Sequence, residues 1–562
     1  MKEKLFRMLV IAILLVSCDD DLLEKYPVDT LNPSNFWASE SDAEAAVNNL
    51  YTRLPDFRGW TYREILGDHA IGSSGDEGRN NINEGTNDAN AGFYRNLWND
   101  YFRSIAATNY FLENIDKVPN LSNSVRNRMI GEAKFIRSFT YLNLAMDFGD
   151  APLLTSTLTV SEGSVITRDD RFEIFDFILD EMDDVINDLP SRSDYIAGGQ
   201  GIGRVTNGAA LALKARAGLF AGTLSKNFSG PASERYLQAC VAACEELMGI
   251  GEYNLYDDFG KLFKYDGQYS NEVILSRMYS KDVLSHNFFN NNAPQELTGR
   301  ATVDLSISRD LVDRFQMQAT GRSITDPAST FDPNDPHLGR DPRMEHTVFF
   351  AAFDNTSHVS IVNGKRWDMR PNLPADMRVA DVLSQQGGAN KTGYAVRKYI
   401  DEERDAGQGN NDGMNLILFR YADVLLMYAE ALVELNQNLT KAVDMINLVR
   451  DRAGMPVLAE SGYMASDLQN QGTMRSIVQQ ERSVEMALEG IRLFDIRRWK
   501  IAEDVIDGPV PGISYIDYES GDLVNHKWFT RVRIFDPGRD YLFPVPEAER
   551  QINPNLGQNT NW

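Results

Sequence analysis

Apolar residues recur along most of this chain at steps of three and four. In 41–53 they are Ala43, Ala46, Val47 and Leu50, continued by Leu54. In 94–117 they are Leu97, Trp98, Tyr101, Ile105, Phe111, Leu112 and Ile115. The stretch 126–148 repeats the pattern with Ile130, Ala133, Ile136, Tyr141 and Leu144, and 169–189 with Ile174, Phe177, Ile178, Met182 and Val185. A 3.6-residue turn gathers such positions on one face, so each stretch predicts an amphipathic helix.

Two later regions carry a more specific pattern. Thr206 is placed to cap a helix bearing Ala209, Ala212, Leu213, Ala215, Arg216 and Leu219. After Gly222 a second helix bears Tyr236, Ala239, Ala243 and Leu247. Small residues facing an aromatic let two helices approach closely, as in tetratricopeptide pairs. The pattern returns at Tyr421–Leu435, with Leu425, Tyr428, Ala429 and Leu432, paired with 442–452 through Ile446 and Val449. The expected fold is all-α: tetratricopeptide-like helix pairs forming a scaffold, with long loop-rich insertions. Those insertions are 67–92, 281–301, 320–345, 354–392 and 400–415. Long aperiodic segments inside a folded body are usually binding surfaces, so the ligand site is expected on them.

The beginning of the chain sets the compartment. Lys2, Lys4 and Arg7 precede an apolar run over 8–16, which as a helix is ~14 Å long, about half a bilayer core. That is the core of a signal peptide rather than an anchor. It ends in Leu14-Leu15-Val16-Ser17-Cys18, which resembles the bacterial lipobox and makes Cys18 the expected lipid attachment site. Each buried methylene stabilises membrane attachment by ~0.8 kcal/mol, so several chains on one cysteine hold a protein permanently. The expected organisation is a lipoprotein signal peptide over 1–17 and a lipidated tether over 18–35. An N-terminal helical region with the first pair follows over 36–250, then a C-terminal region with the insertions and the second pair over 251–562.

Charge narrows the partners. The 562 residues carry a formal net charge of −25. Such a surface opposes nucleic acid, whose binding rests on neutralising phosphates, and it offers anionic lipid no polybasic patch. A neutral polysaccharide meets no such conflict, whereas a strongly anionic one would need a local arginine cluster. Besides Cys18 the chain has only Cys240 and Cys244. They stand one helical turn apart, where a disulfide would be strained, and are read as small packing residues.

Several blocks, taken in order, resemble the SusD/RagB family, the glycan-binding lipoproteins of polysaccharide-uptake systems. They begin with Leu22-Leu23-Glu24-Lys25-Tyr26-Pro27 and Phe36-Trp37-Ala38-Ser39-Glu40. Gly131-Glu132-Ala133-Lys134-Phe135-Ile136-Arg137, Asp341-Pro342-Arg343 and Leu418-Phe419-Arg420-Tyr421 follow. The last are Gly490-Ile491-Arg492-Leu493-Phe494-Asp495 and Asn553-Pro554-Asn555-Leu556-Gly557. The resemblance implies a tetratricopeptide-like fold and a partnership with a SusC-like TonB-dependent transporter. It also implies an outer-membrane location, surface export signalled by Asp19, Asp20 and Asp21, and no catalysis. It carries over no sugar contact, because ligand loops differ within the family; only Cys18 transfers.

Catalytic chemistry finds little footing. The histidines His69, His286, His337, His346, His358 and His526 lack the spacing of a helical zinc site, so neither a metal nor a cofactor is expected. Asp332, Asn334, Asp335 and Asp341 lack calcium-loop spacing and read as a solvated turn. Glu481, Glu485 and Glu489 share a helical stripe near Arg482, Arg492, Arg497 and Arg498 and read as an ion-paired helix junction. A sugar needs aromatic platforms flanked by fixed donors and acceptors. The segment 59–90 has that make-up, with Trp60, Tyr62, Asp68, His69, Arg79, Asn80, Asn81, Asn83 and Asn87. Trp367, in a polar insertion, is a second candidate, and 287–292 with Phe288 and Phe289 a third. Trp37, Trp98 and Trp499 are expected in the core. The function expected is capture of oligo- or polysaccharide at the cell surface and delivery to the transporter. A surface binder of peptide or another nutrient with a similar barrel partner is the alternative, and a secreted glycoside hydrolase a remote one.

Overall fold

A computed structural model describes residues 36–73, 76–199, 202–300, 303–381, 383, 390–404 and 409–562. The leader, Cys18 and the aspartates after it lie outside the described residues.

The periodic stretches are helices. They are α1 (Glu40–Tyr51), α2 (Gly92–Asn114), α3 (Asn123–Phe148), α4 (Arg171–Val185), α5 (Asn207–Asn227) and α6 (Ser233–Ile250). A short α7 (Arg309–Arg314) precedes α8 (Tyr421–Leu435), α9 (Leu439–Arg452), α10 (Gln471–Glu485) and α11 (Arg492–Arg498). Thr206 caps α5 as its position predicts, its hydroxyl accepting the Ala209 N–H at 3.1 Å; such a cap is worth ~1 kcal/mol. Within the first pair, helix approach depends on glycine. A Cβ on Gly218 would lie 2.7 Å from the Tyr236 carbonyl oxygen, and one on Gly222 2.6 Å from the Leu237 side chain. The two pairs, far apart in sequence, pack on each other. Cys240 and Cys244 are buried in α6 with their sulfurs against the Met427 and Val424 carbonyls of α8, and are free thiols.

The fold is mostly helical, with short strands that the helical periodicity does not announce. These are β1 (Ala70–Gly72), β2 (Val273–Arg277), β3 (Leu305–Ile307), β4 (Val348–Phe350), β5 (Tyr394–Val396), β6 (Leu416–Arg420), β7 (Gly508–Ile516) and β8 (Leu523–Arg533). An antiparallel sheet has the order β1-β3-β5-β4, pairing Ala70 with Ile307, Ser306 with Ala395, and Phe349 with Ala395. β2 pairs with β6, and β7 with β8, both antiparallel. A strand from the N-terminal region thus edges a sheet built from the C-terminal one, and a single buried apolar cluster runs through both regions. Among the described residues no helix is long and apolar enough to cross a membrane.

Candidate functional site

The segment selected by composition is folded inward. Phe57–Trp60 and Thr61–Leu66 are consecutive helical turns, and they carry their side chains into the core. Trp60 is 2% exposed, against Phe139 and Phe494 at ring distances of 5.8 and 6.3 Å. Tyr62 is equally buried; its hydroxyl donates to Asp304 at 2.9 Å and accepts from the Asn292 amide at 3.1 Å. The Arg58 and Arg79 guanidiniums lie 5.8 and 5.7 Å from its ring. Asp68 accepts two bonds from Arg492, at 2.7 and 2.8 Å, and one from Arg314 at 2.8 Å. Burial alone would raise its pKa, but Arg492, His69 and Arg314 outweigh that and hold it well below the carboxylate range. His69 is buried between Glu64, at 2.9 Å, and the Ser483 hydroxyl, at 3.3 Å.

The other candidates divide. Arg79 is partly buried and donates to Asp76 at 2.6 Å and to the Arg58 carbonyl at 2.9 Å. Asn80 and Asn83 are buried, donating to the carbonyls of Ser73 and Ile65 at 3.0 and 2.5 Å. Asn81 is exposed. Trp367 is 0% exposed and donates through Nε1 to Asp381 at 2.9 Å. That carboxylate also accepts the Gln295 and Glu296 N–H groups at 2.8 and 3.0 Å, tying two insertions together. Phe288 is buried and stacks on Phe57 at 4.5 Å. The expectation that Trp60, Tyr62, Asp68, His69 and Trp367 form an exposed ligand platform is therefore corrected. Long-range partners hold the polar atoms of Tyr62, Asp68, His69 and Trp367. Trp60 buries its indole Nε1 without a partner among the described residues, and the aromatic rings fill the core.

The glutamates form an ion-paired junction, but only Glu481 and Glu485 share the α10 stripe, since the helix ends at Glu485 and Glu489 lies in the turn beyond it. The partners come from farther away than the sequence suggests. Glu481 meets Arg343 at 2.6 Å and Arg450 at 3.0 Å. Glu485 meets Arg343 at 2.8 Å and Arg420 at 2.6 Å, as well as Arg452. Glu489 meets Arg420 at 2.8 Å and Lys398 at 2.9 Å. Burial would raise the Glu485 pKa, but Arg452, Arg420 and Arg343 hold it well below its ordinary value, so it stays ionised and is a poor proton donor. Asp341, read with its neighbours as a turn, is buried and paired with Arg343 at 2.7 Å. Asp332 does shape an exposed turn, accepting the Asn334 N–H at 2.9 Å. Among the described residues no cluster of three His, Cys, Asp or Glu side chains is placed to hold a metal.

Trp60 does line one edge of a cleft of about 270 Å³ with Arg63, Asp100 and Tyr101, and further concave surface lies on either side of α7. One cavity of about 440 Å³ runs between the 320–345 insertion, α10 and the loop after α9. It is lined by Tyr463, Arg322, Asp326, Gln480, Arg314 and Asp310, with Ser323, Ser461 and Ser476 adding hydroxyls. Tyr463 is half-buried, and its phenol is pushed up chiefly by desolvation. Arg322 and Asp326 pair at 2.8 Å, and Gln480 donates to the Arg314 carbonyl at 2.5 Å. Backbone donation from Ala328 and then Arg322 hold the exposed Asp326 carboxyl below its usual range. A second cavity of about 260 Å³ is lined by Phe331, Arg309, Asn525 and Ser514, and Asp313 borders both. Each presents aromatic surface, Tyr463 in the first and Phe331, Phe353 and Tyr394 in the second, beside fixed donors and acceptors, the pairing that a sugar's apolar face and hydroxyl edge require. The insertion half of this site was visible in the sequence as 320–345. Tyr463 was missed, although an aromatic between Gly462 and a Ser/Asp-rich turn is a readable signal.

This architecture, helix pairs bearing a layer of polar insertions, defines a scaffold-and-loop binding protein. The family described as "SusD family" matches residues 271–562, and one described as "Starch-binding associating with outer membrane" matches 23–219. The chain belongs to the SusD family. SusD-like protein P25 of Formosa agariphila is 25% identical over 98% of both chains. A SusD-like carbohydrate-binding protein from Bacteroides fragilis is 28% identical, with a TM-score of 0.79 over 93% of this chain and 100% of that one. A laminarin-binding SusD-like protein shares the fold at 20% identity, with a TM-score of 0.65 over 94% of this chain and 100% of that one.

Proposed function

We propose that this chain is an outer-membrane lipoprotein, anchored through Cys18 and displayed at the cell surface. It captures an oligo- or polysaccharide and delivers it to a SusC-like TonB-dependent transporter without chemically altering it. The observation that carries the reading is the end-to-end SusD-family match, 98% of the chain in the Formosa relative. The carbohydrate-binding description of the Bacteroides fragilis neighbour and the Tyr463 cavity support the glycan as ligand. The ion-locked glutamates favour binding over hydrolysis.

The anchor is tested by Cys18→Ala, which should move the protein from the outer-membrane fraction to the soluble one. Retention of all the protein in the membrane would mean another anchor. Protease added to intact cells should degrade the wild type; protection until the outer membrane is broken would exclude capture from the medium. Co-purification of a barrel with the tagged lipoprotein tests the partner, and its absence from solubilised membranes would remove delivery from the proposal.

A further inference from the structure

A third cavity lies away from α7, where the ends of α3 and α5 meet the C-terminal segment. It encloses about 370 Å³, far more than the ~30 Å³ share of one water, so it has room for an organic ligand as well as a bare ion. In a chain of net charge −25, its wall is basic. Arg168, Arg171, Arg497 and Arg539 line it, with Asp150 the only carboxylate among its lining residues.

Three of these guanidiniums form no close ion pair, although the Asp150 carboxylate acts on Arg168 and Arg171 and the Asp147 carboxylate on Arg497 from farther away. Arg539 pairs with Asp540 at 2.7 Å; Arg168, Arg171 and Arg497 form no ion pair with any described residue. Arg168 is fixed by the Asn559 side-chain oxygen at 2.7 Å. The Arg171 guanidinium makes no hydrogen bond to a described residue and rests on the Phe172 and Phe228 rings, 5.2 and 5.8 Å away. Asp150 accepts the Arg171 backbone N–H at 3.1 Å. Arg497 is 4% exposed; it donates through one Nη to the Asp540 carbonyl at 3.0 Å, and its Nε and other Nη have no partner among the described residues. A buried cation without an anion is costly, and a preorganised guanidinium group is the usual receptor for an oxyanion. Beside the arginines, Phe228 and Tyr541 meet edge to face at 5.1 Å and form an apolar corner. Cationic wall and aromatic corner together fit a sugar ring bearing a charged substituent.

We propose that this cavity binds an acidic saccharide unit, with a carboxylate or sulfate held by Arg168, Arg171 and Arg497, Arg539 adding positive charge beside them, and the ring against Phe228 and Tyr541. It is a second subsite on the chain and rests on the glycan-binding reading. It also supplies the local arginine cluster that so acidic a protein needs before it can accept an anionic polymer.

The test is calorimetry with four probes: an oligogalacturonate, its methyl-esterified neutral form, a sulfated oligosaccharide, and inorganic sulfate. The intact protein should bind at least one charged saccharide about tenfold more tightly than the neutral form, with affinity falling as salt rises. Arg171→Gln should close that gap and leave neutral-oligosaccharide binding unchanged; Arg539→Gln, at a more exposed position, guards against a folding defect in the first variant. The two charged probes distinguish carboxylate from sulfate. Equal binding of charged and neutral forms, or a gap that survives both variants, overturns the proposal. So does inorganic sulfate binding as tightly as the saccharide. If neutral oligosaccharides bind and charged ones gain nothing, only this subsite fails; if no saccharide binds, the glycan reading fails with it.

Discussion

The segment 57–83 and the cavity at Tyr463 draw on the same residue types: tyrosine, arginine, aspartate and short amides. In the first, most of the strong groups are matched inside the molecule, although Trp60 Nε1, Arg79 Nε and Asn83 Oδ1 are buried without a partner among the described residues. Asp68 is held by Arg492, 424 positions away, and Tyr62 by Asp304, 242 positions away. In the second, Arg314 and Asp310 are tied to the distant Asp68 and Arg533, but Arg322 and Asp326 pair with each other, four residues apart, and Tyr463 keeps part of its ring free. Composition selects both places equally. What separates them is whether distant elements bring complementary groups, because a matched polar cluster is buried as structure and an unmatched one stays open to a ligand.

The sharpest way to break this contrast is to substitute the matched region. Asp68→Ala would leave Arg492 buried without its partner, a loss of about 3–5 kcal/mol. Trp367→Ala would empty a fully buried ring site at a similar ~3–5 kcal/mol. Chemical denaturation should show these losses, while the fraction that still folds should bind oligosaccharide as the wild type does. A large change in affinity at unchanged stability would restore these residues to the ligand site.

Acidity separates two further groups at intermediate size. His337 is buried at the root of the 320–345 insertion, where desolvation, and then the Arg340 charge, lower its pKa to about 3 from an ordinary 6.5. Its unfolded form therefore takes up a proton first as pH falls through 6.5. The stability from the neutral folded ring is whole above that value and declines below it, by at most ~1.4 kcal/mol per pH unit. Between about pH 6.5 and about pH 5 this amounts to roughly 2 kcal/mol. Asp68 has the same sign in a lower window, its stabilisation being present above its ordinary 3.8 and lost as pH falls below it. Denaturation midpoints across this range should slope in the wild type and less steeply in His337→Gln, the remaining slope coming from His286, His346 and His526, whose pKa values burial also lowers; an unchanged slope would show that His337 does not contribute.

Much of the scaffold could be read in advance because helix periodicity is local. The stretch 126–148 becomes Asn123–Phe148, 169–189 becomes Arg171–Val185, and Thr206 caps α5 as placed. The β7–β8 hairpin could not be read this way. Pro509 and Pro511 lie within β7, where proline usually argues against a strand, and its pairing shifts register between Asn525 and Lys527. The glutamate junction was legible in kind, but its main partners Arg343, Arg420 and Lys398 were not, since nothing local links them to α10. Trp367 was misplaced for the same reason: its loop is polar, yet Asp381 and Phe349 close over it. Sequence patterns report which residues share a face; they do not report what that face will meet.

The smallest expected effect bears most directly on the open region. Tyr463 stands half-exposed on the wall of the 440 Å³ cavity, where a sugar ring can cover its face without displacing any core contact. Tyr463→Ala should then weaken oligosaccharide binding by ~1–2 kcal/mol, roughly tenfold, and lower stability far less than Trp367→Ala. Tyr463→Phe should retain most of the affinity, because stacking uses the ring and not the hydroxyl. Calorimetry against the best-bound neutral oligosaccharide, with thermal unfolding of each variant, separates the outcomes. If Tyr463→Ala binds normally while Phe331→Ala on the other side of α7 does not, the ligand lies in the smaller cavity and the comparison holds with its open region moved. If both variants bind normally, openness and aromatic content do not mark the site in this molecule, and the rule drawn from the matched and unmatched clusters is wrong.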